Sequence, residues 1–122
     1  MLFEAIVADA NVLLSAVIGK AAQKVFSEHD LKVHASEFNA REVREYLPVM
    51  ARKYELPVDL VILRWRLLPL ILHRATEYAA YYRKALADLN GCDPEDAHAL
   101  ALARALALPL WSNDRHLAKF EV

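Results

Sequence analysis

Four acidic residues lie far apart along the chain: Asp9, Glu42, Asp96 and Asp114. If the fold brings them together, their carboxylates could bind one divalent cation. Two carboxylates about 5 Å apart repel each other by roughly 3 kcal/mol at an effective dielectric constant near 20, so a protein that gathers several of them needs a cation. Ligand sets made only of oxygen select hard ions such as Mg²⁺ or Mn²⁺. Such an ion lowers the pKa of a bound water and neutralises phosphate oxygens, which is the chemistry of phosphodiester hydrolysis.

Each acid also has an ordinary structural explanation. Aspartate near a helix start caps the helix and interacts well with its dipole, and the segment Asp93-Pro94-Glu95-Asp96 has that form. Taken one at a time, this explanation is favoured over a site role for every one of the four. The informative observation is that the four acids occur together at positions where one fold could gather them.

The hydrophobic pattern predicts a parallel sheet that would position these acids. Short apolar runs predict strands at 5–8, 31–35 and 108–111, and helices are predicted at 11–18, 20–28, 37–47, 57–72, 76–89 and 93–106. Pro48 should end or kink the third of these helices. Strands that alternate with helices favour a mostly parallel sheet covered on both faces, with a ligand site at the carboxyl ends of the strands. Asp9 and Asp114 follow predicted strands, as such a site requires.

Composition limits the broad class of the protein. The chain has 122 residues and is 57% hydrophobic, so we expect residues 1–122 to form one folded domain. Its single cysteine, Cys92, excludes an internal disulfide and indicates a reducing compartment, which we interpret as the cytoplasm. The N-terminus has no positively charged residues before its apolar run, unlike a signal peptide. The most apolar later stretch contains charged residues and a proline, unlike a membrane-spanning helix. We therefore predict neither a signal peptide nor a membrane segment.

Positive charge is concentrated in the middle of the chain. Residues 41–84 contain nine Lys and Arg against five Asp and Glu, although the formal net charge of the chain is −1. A solvated helical surface and a face that binds a polyanion explain this distribution equally well. Candidate contacts to such a polyanion are Arg41, Arg44, Arg52, Lys53 and Arg115, and an exposed helix start is the competing explanation for Arg115.

At four places the sequence resembles the PIN domain family. The segments are IVADANVLLSA, SEFNAREVREYL, DPEDAHALALARAL and WSNDRHL, and they occur in the family's order from Ile6 to Leu117. The resemblance assigns Asp9, Glu42, Asp96 and Asp114 to the metal site. It makes Asp93 an auxiliary metal-binding acid, and Asn11 and Ser112 polar residues that support the acids.

The resemblance implies a three-layer α/β/α fold and a Mg²⁺- or Mn²⁺-dependent ribonuclease. It also implies RNA as the substrate, and a protein antitoxin as a partner if the chain is the toxin of such a pair. Two details depart from the family pattern. The chain stops at Val122, where relatives often add a short strand, and Ser112-Asn113-Asp114 stands where many have Thr-x-Asp.

Other functions fit the sequence less well. A receiver-like domain would need an acidic pair near the start and a late lysine, and a haloacid-dehalogenase-like phosphatase would need an acid where Asn11 stands. The more serious alternative is a PIN-like module that binds RNA or a partner protein without cleaving, which would have no reason to keep four mutually repelling acids.

We also predict a homodimer. The predicted helix at 57–72 has too little polar surface for an exposed helix, and Trp65 could anchor an interface. We interpret Trp65, Tyr78, Tyr81 and Tyr82 as packing residues rather than as residues that stack on bases.

Overall fold

The computed structural model describes residues 5–19, 31–89 and 96–112. In these residues four parallel strands form one sheet, in the order β3-β2-β1-β4. The strands are β1 (Ala5–Ala8), β2 (Lys32–Ser36), β3 (Leu70–His73) and β4 (Leu110–Trp111). The described helices are α1 (Ala10–Ile18), α2 (Glu37–Lys53), α3 (Val58–Leu67), α4 (Ala79–Asp88) and α5 (Asp96–Leu106), with a 3-10 turn at Ala75–Glu77. The predicted helix at 20–28 and the first residues of the one at 93–106 lie outside the described residues.

The sheet separates two apolar clusters, as the predicted three-layer α/β/α fold requires. Ile6 and Ala8 of β1 face a cluster formed with α1, α2 and α3, whereas Val7 faces a cluster formed with α4 and α5. Successive side chains of a strand point to opposite faces, so a strand covered on both sides must be apolar throughout. This explains why the first predicted strand is a continuous apolar run that ends abruptly at Asp9.

The predicted helix at 57–72 is wrong in its second half. The helix ends at Leu67, and Leu70–His73 forms β3 at the edge of the sheet, paired with β2 from Val33↔Leu70 to Ser36↔His73. Pro69 explains the break, because a residue before proline is pushed out of the helical region, and Leu68 is extended at φ −65° and ψ 129°. The apolar residues of this segment therefore belong to two elements.

The prediction that Pro48 ends or kinks the helix near residue 47 is also wrong about the end, because α2 continues to Lys53. An interior proline removes a helical hydrogen bond and typically costs about 3 kcal/mol. Leu47 and Ala51 lie on either side of Pro48 and are buried at 2% and 0% exposure. Their packing against α1 and α3 offsets the cost, because ending the helix at Pro48 would remove Ala51 from the core.

The remaining predicted elements agree with the structure apart from their ends. The predicted helix at 76–89 is a 3-10 turn followed by α4, and the strand predicted at 108–111 is shortened to Leu110–Trp111. Within the described residues, no helix combines the length and the apolar character needed to cross a membrane.

Candidate functional site

The carboxyl ends of all four strands meet at one edge of the sheet and present polar residues there. Val7 pairs with His34 and Ala8 pairs with Trp111, so the register brings Asp9 level with Ser36 on one side and Ser112 on the other. His73 pairs with Ser36 at the end of β3. The edge where the sequence predicts a site is therefore lined by hydrogen-bonding side chains.

Asp9 is the buried centre of this edge, with 4% of its surface exposed. Its Oδ1 accepts a hydrogen bond of 2.9 Å from the Val12 backbone N–H, which makes Asp9 the N-cap of α1. Its Oδ2 accepts a hydrogen bond from the Ser112 hydroxyl. The helix cap thus uses one oxygen of Asp9, and Ser112, the residue directly after β4, binds the other.

Glu42 is held by a short chain of polar residues that starts at the end of β2. Ser36 caps α2 by accepting from the Asn39 N–H at 2.9 Å, and its hydroxyl donates to Asn39 Oδ1 at 2.9 Å. Asn39 Nδ2 then donates to Glu42 Oε1 at 2.8 Å. Ser36 and Asn39 are both buried, whereas Glu42 is half-buried, so its carboxylate is oriented by groups that are themselves fixed.

Asp96 begins α5, the helix that packs across β1 and β2. The first turn of α5 contacts the first turn of α2 through a ring stack. The His98 and Phe38 centroids are 3.9 Å apart, and the ring planes differ by 9°. Asp96 and Glu42 thus belong to helices whose N-terminal turns are in contact.

The other predicted site residues are exposed or outside the described residues. Asn11 is exposed and lines an open groove with residues of α1 and α2. The four cations predicted on α2, namely Arg41, Arg44, Arg52 and Lys53, are all exposed. Asp93, Asp114 and Arg115 lie outside the described residues. Across 5–19, 31–89 and 96–112, no three His, Cys, Asp or Glu side chains form a group that could hold a metal ion.

Comparison with known proteins identifies the family. A model described as the PIN domain matches residues 7–122, nearly the entire chain. The chain belongs to the PIN domain family. Members of this family are nucleases, and those of the VapC type generally use divalent metal ions.

A solved structure shows the same fold. The crystal structure of Mycobacterium tuberculosis VapC20, a toxin that cleaves the sarcin–ricin loop, matches with a TM-score of 0.64 and 16% sequence identity. The match covers 96% of each chain. At this identity the likeness establishes a common fold, and no curated protein matches the sequence.

Asn39 is a residue of this PIN domain that the sequence analysis missed. Its position three residues after Ser36 and three before Glu42 is a usable signal, because side chains three apart share a helix face. Sequence alone could not distinguish an outward amide from a buried one. Burial at 3% exposure decides that Asn39 faces inward.

If Glu42 is a metal ligand, as the sequence predicts, Asn39→Ala should lower nuclease activity about 10- to 100-fold, the usual cost of losing a group that orients such a ligand. The measurements are the cleavage rate and metal affinity, compared with Val61→Ala, which opens a cavity in the core on a different helix. If the two variants lose equal activity at equal loss of stability, Asn39 supports only folding.

A second group missed by the sequence analysis is a chain of three titratable side chains beside β3. His73 Nδ1 lies 2.9 Å from Glu77 Oε1, and His73 Nε2 lies 2.8 Å from His34 Nδ1. With Glu77 ionised, His73 donates to the carboxylate and accepts from His34. The sequence did not predict this group because it did not predict β3, whose pairing with β2 brings His73 near His34.

This chain predicts a stability that falls with acid. Burial, then the neighbouring His73 and Lys32, hold the pKa of His34 below its ordinary value of 6.5. As the pH falls, His34 therefore takes up a proton more readily in the unfolded chain than in the folded one. The folded state keeps its full stability above pH 6.5 and loses part of it below that pH. We expect the melting temperature to drop further between pH 7.5 and 5.5 in the parent than in His34→Gln, because only the parent loses this stabilisation. Equal drops in the two proteins would contradict this assignment.

Proposed function

We propose that this PIN domain is a metal-dependent endoribonuclease that hydrolyses phosphodiester bonds of single-stranded or structured RNA. The observation that carries the proposal is the buried carboxylate of Asp9 at the carboxyl edge of a parallel sheet. A second acid-bearing helix, α2, begins directly beside it at Ser36. Membership of the PIN domain family supports nuclease chemistry at this edge.

The donor set fits a hard divalent cation. The candidate ligands are carboxylates that the fold already orients: Val12 and Ser112 hold the two oxygens of Asp9, and Asn39 holds Glu42. Oxygen-only ligands select Mg²⁺ or Mn²⁺ over softer metals.

In this proposal Asp9, Glu42, Asp96 and Asp114 hold the cation, with Asp93 as an auxiliary acid. When bound, the cation supplies a water of lowered pKa and neutralises charge on the phosphate oxygens. Ser112 and the Val12 N–H fix the orientation of Asp9, and Asn39 fixes that of Glu42. Holding the acids in place beforehand reduces the reorganisation needed when the phosphate arrives.

A non-catalytic PIN-like module that binds RNA or a partner protein is the alternative. The N-cap of α1 accounts for Asp9 alone. A pure binding module would have no need to gather Glu42, Asp96 and Asp114 around it, because the carboxylates repel one another.

Metal removal is the experiment that tests the proposal. We expect pure protein to cleave a mixture of single-stranded RNA and structured RNA loops with Mg²⁺ or Mn²⁺ present, and to stop in excess EDTA. Restored cleavage after metal is added back would exclude loss by unfolding. Equal cleavage with and without EDTA would show a contaminant or a different mechanism, and binding without cleavage in either metal would favour the non-catalytic module.

The exposed cations of α2 are proposed to guide RNA to the acids. Releasing counterions from about four phosphates implies a slope near −3 in a plot of log affinity against log salt for single strands. Neutralising Arg41, Arg44, Arg52 and Lys53 together should weaken RNA binding at low salt and flatten this slope, with metal affinity nearly unchanged. An unchanged slope would identify these side chains as a solvated face.

We further propose that the protein acts as a toxin controlled by a protein antitoxin. The support is that it shares its fold with a VapC toxin. Expression of the chain alone in a bacterial host should arrest growth, and Asp9→Asn should abolish the arrest. Growth arrest by both proteins would indicate an effect unrelated to RNA cleavage.

A further inference from the structure

A small cavity opens beside the site, between the 3-10 turn, α4 and the start of α5. Its volume is about 280 Å³, and its walls are Ala75, Tyr78, Ala79, Tyr82 and His98. Three of these residues carry aromatic or imidazole rings, and the other two are alanines. This lining suits a flat, aromatic ligand.

The three rings that line the cavity, those of Tyr78, Tyr82 and His98, are held in place before any ligand binds. The Phe38 ring stacks on His98, and the Tyr78 hydroxyl lies 2.6 Å from His98 Nδ1. Tyr78 is buried at 1% exposure, so it holds His98 in place and offers no ring face to a ligand, whereas Tyr82 and His98 are half-buried. Tyr82 approaches His98 at 4.9 Å between centroids, tilted by 52°. Stacking on rings that are already ordered loses little conformational entropy on binding.

The cavity lies close to the proposed cleavage site. His98 is two residues after Asp96 on α5, and Phe38 is four residues before Glu42 on α2, which is about 6 Å along a helix axis. His98 and Asp96 leave α5 on different sides but within one helical turn, so the cavity and Asp96 are neighbours along this helix.

Exposed cations flank the cavity. Arg74 directly precedes Ala75; its side chain is 80% exposed and its Nε lies 4.0 Å from Glu37 Oε1. Arg83 follows Tyr82 and shares a helix face with Ala79. Glu77 also lies here, but its carboxylate oxygens are bound by His73 and the Arg74 N–H. An apolar slot with arginines on its rim matches a nucleotide, whose base is flat and apolar on its faces and whose phosphates are anionic.

We propose that this cavity binds one base of the RNA substrate by stacking, next to the scissile phosphate. The inference rests on the proposed ribonuclease function and adds a base-binding subsite to it. Stacking on an aromatic surface tolerates every base, since each has a π-face, so the subsite fixes the strand's position without selecting a sequence. An apolar side chain of a partner protein is the competing occupant.

The test is RNA binding measured in an Asp9→Asn background, where the strand stays intact. The probes are a ten-nucleotide single-stranded RNA and a set of derivatives with one abasic residue at each position. Tyr82→Ala should weaken binding of the intact strand about 5- to 100-fold. Tyr82→Phe, which keeps the ring, should bind as the parent does. Tyr81→Ala is the matched control, because Tyr81 is an exposed neighbour on α4 that does not line the cavity.

The abasic series locates the base. For the parent protein, removing the base at one position of the RNA should lower the affinity as much as Tyr82→Ala does. For Tyr82→Ala, removing that same base should lower the affinity no further. Ala79→Leu, a substitution at an exposed helical position, should fill the cavity and cause the same loss even if Tyr82→Ala folds poorly.

Three results would overturn the inference: equal affinities for Tyr82→Ala and Tyr81→Ala, an abasic profile that Tyr82→Ala does not change, or loss of a protein partner from Tyr82→Ala with RNA binding intact. Failure of the proposed function gives a different result. If the protein with Asp9 intact cleaves no RNA but the abasic series still depends on Tyr82, the subsite stands and the catalytic proposal fails.

Discussion

Asp9→Asn is expected to lower the rate of metal-dependent RNA cleavage about a thousandfold. The substitution keeps the shape of the side chain and an oxygen that can cap α1, but it removes the negative charge at the centre of the site. Loss of several kcal/mol of charge stabilisation in the transition state corresponds to about this factor. The measurements are the cleavage rate at saturating Mg²⁺ or Mn²⁺ and the metal dissociation constant, and the melting temperature should change little.

Two glutamates on α2 provide a matched pair for the same prediction. Glu42→Gln should lower cleavage by a comparable factor, because Glu42 is half-buried and held by Asn39. Glu45→Gln, three residues further along the same helix at an exposed position, should leave cleavage close to the parental rate. Similar activities for the two variants, or metal-dependent cleavage that survives Asp9→Asn, would refute the assignment of these acids to the site.

The second large effect is expected at the apolar surface formed by α3 and β3. Four large side chains of α3 and of the face of β3 on the same side of the sheet are exposed: Leu60 at 39%, Leu63 at 51%, Leu67 at 71% and Leu72 at 43%. β3 is also the last strand in the described sheet on that side. Clustered apolar side chains beside a strand edge are characteristic of an association surface, and pairing of two copies about a twofold axis would bury it.

We expect the parent protein to sediment as a homodimer at tens of micromolar and the Leu63→Asp, Leu72→Asp double variant to sediment as a monomer. Each substitution acts twice in a symmetric dimer, and a buried aliphatic side chain contributes about 1.5–3 kcal/mol, so the dissociation constant should rise by at least about 10³-fold. Val49→Asp is the control, since Val49 is 51% exposed on α2, a different helix. A parent that is monomeric at these concentrations would rule out the dimer.

The part of the fold that could be predicted was the part encoded locally. The run from Ala5 to Ala8 is apolar on both faces and ends at a carboxylate, so both β1 and the placement of Asp9 follow from sequence pattern. Ser36 has the side chain and the position of an N-cap. In each case neighbouring residues are sufficient to specify the structure.

The parts that were missed depend on contacts between distant residues. Leu70–His73 is short and apolar and follows a helix, so only its pairing with β2 makes it a strand. Pro48 remains inside α2 because Leu47 and Ala51 pack on either side of it, and no local rule reports that packing. The pairing of His34 with His73 follows from the same undetected strand.

In the proposed function, the continuity of α2 through Pro48 determines the length of RNA that the protein can contact. Glu42 and Arg52 stand on one uninterrupted helix, ten residues and about 15 Å apart along its axis. An RNA strand that touches both must span that separation, so very short oligonucleotides would occupy either the acids or the basic end but not both. Turnover should therefore depend on strand length, with KM falling sharply once the strand is long enough to bridge the helix and changing little beyond that length.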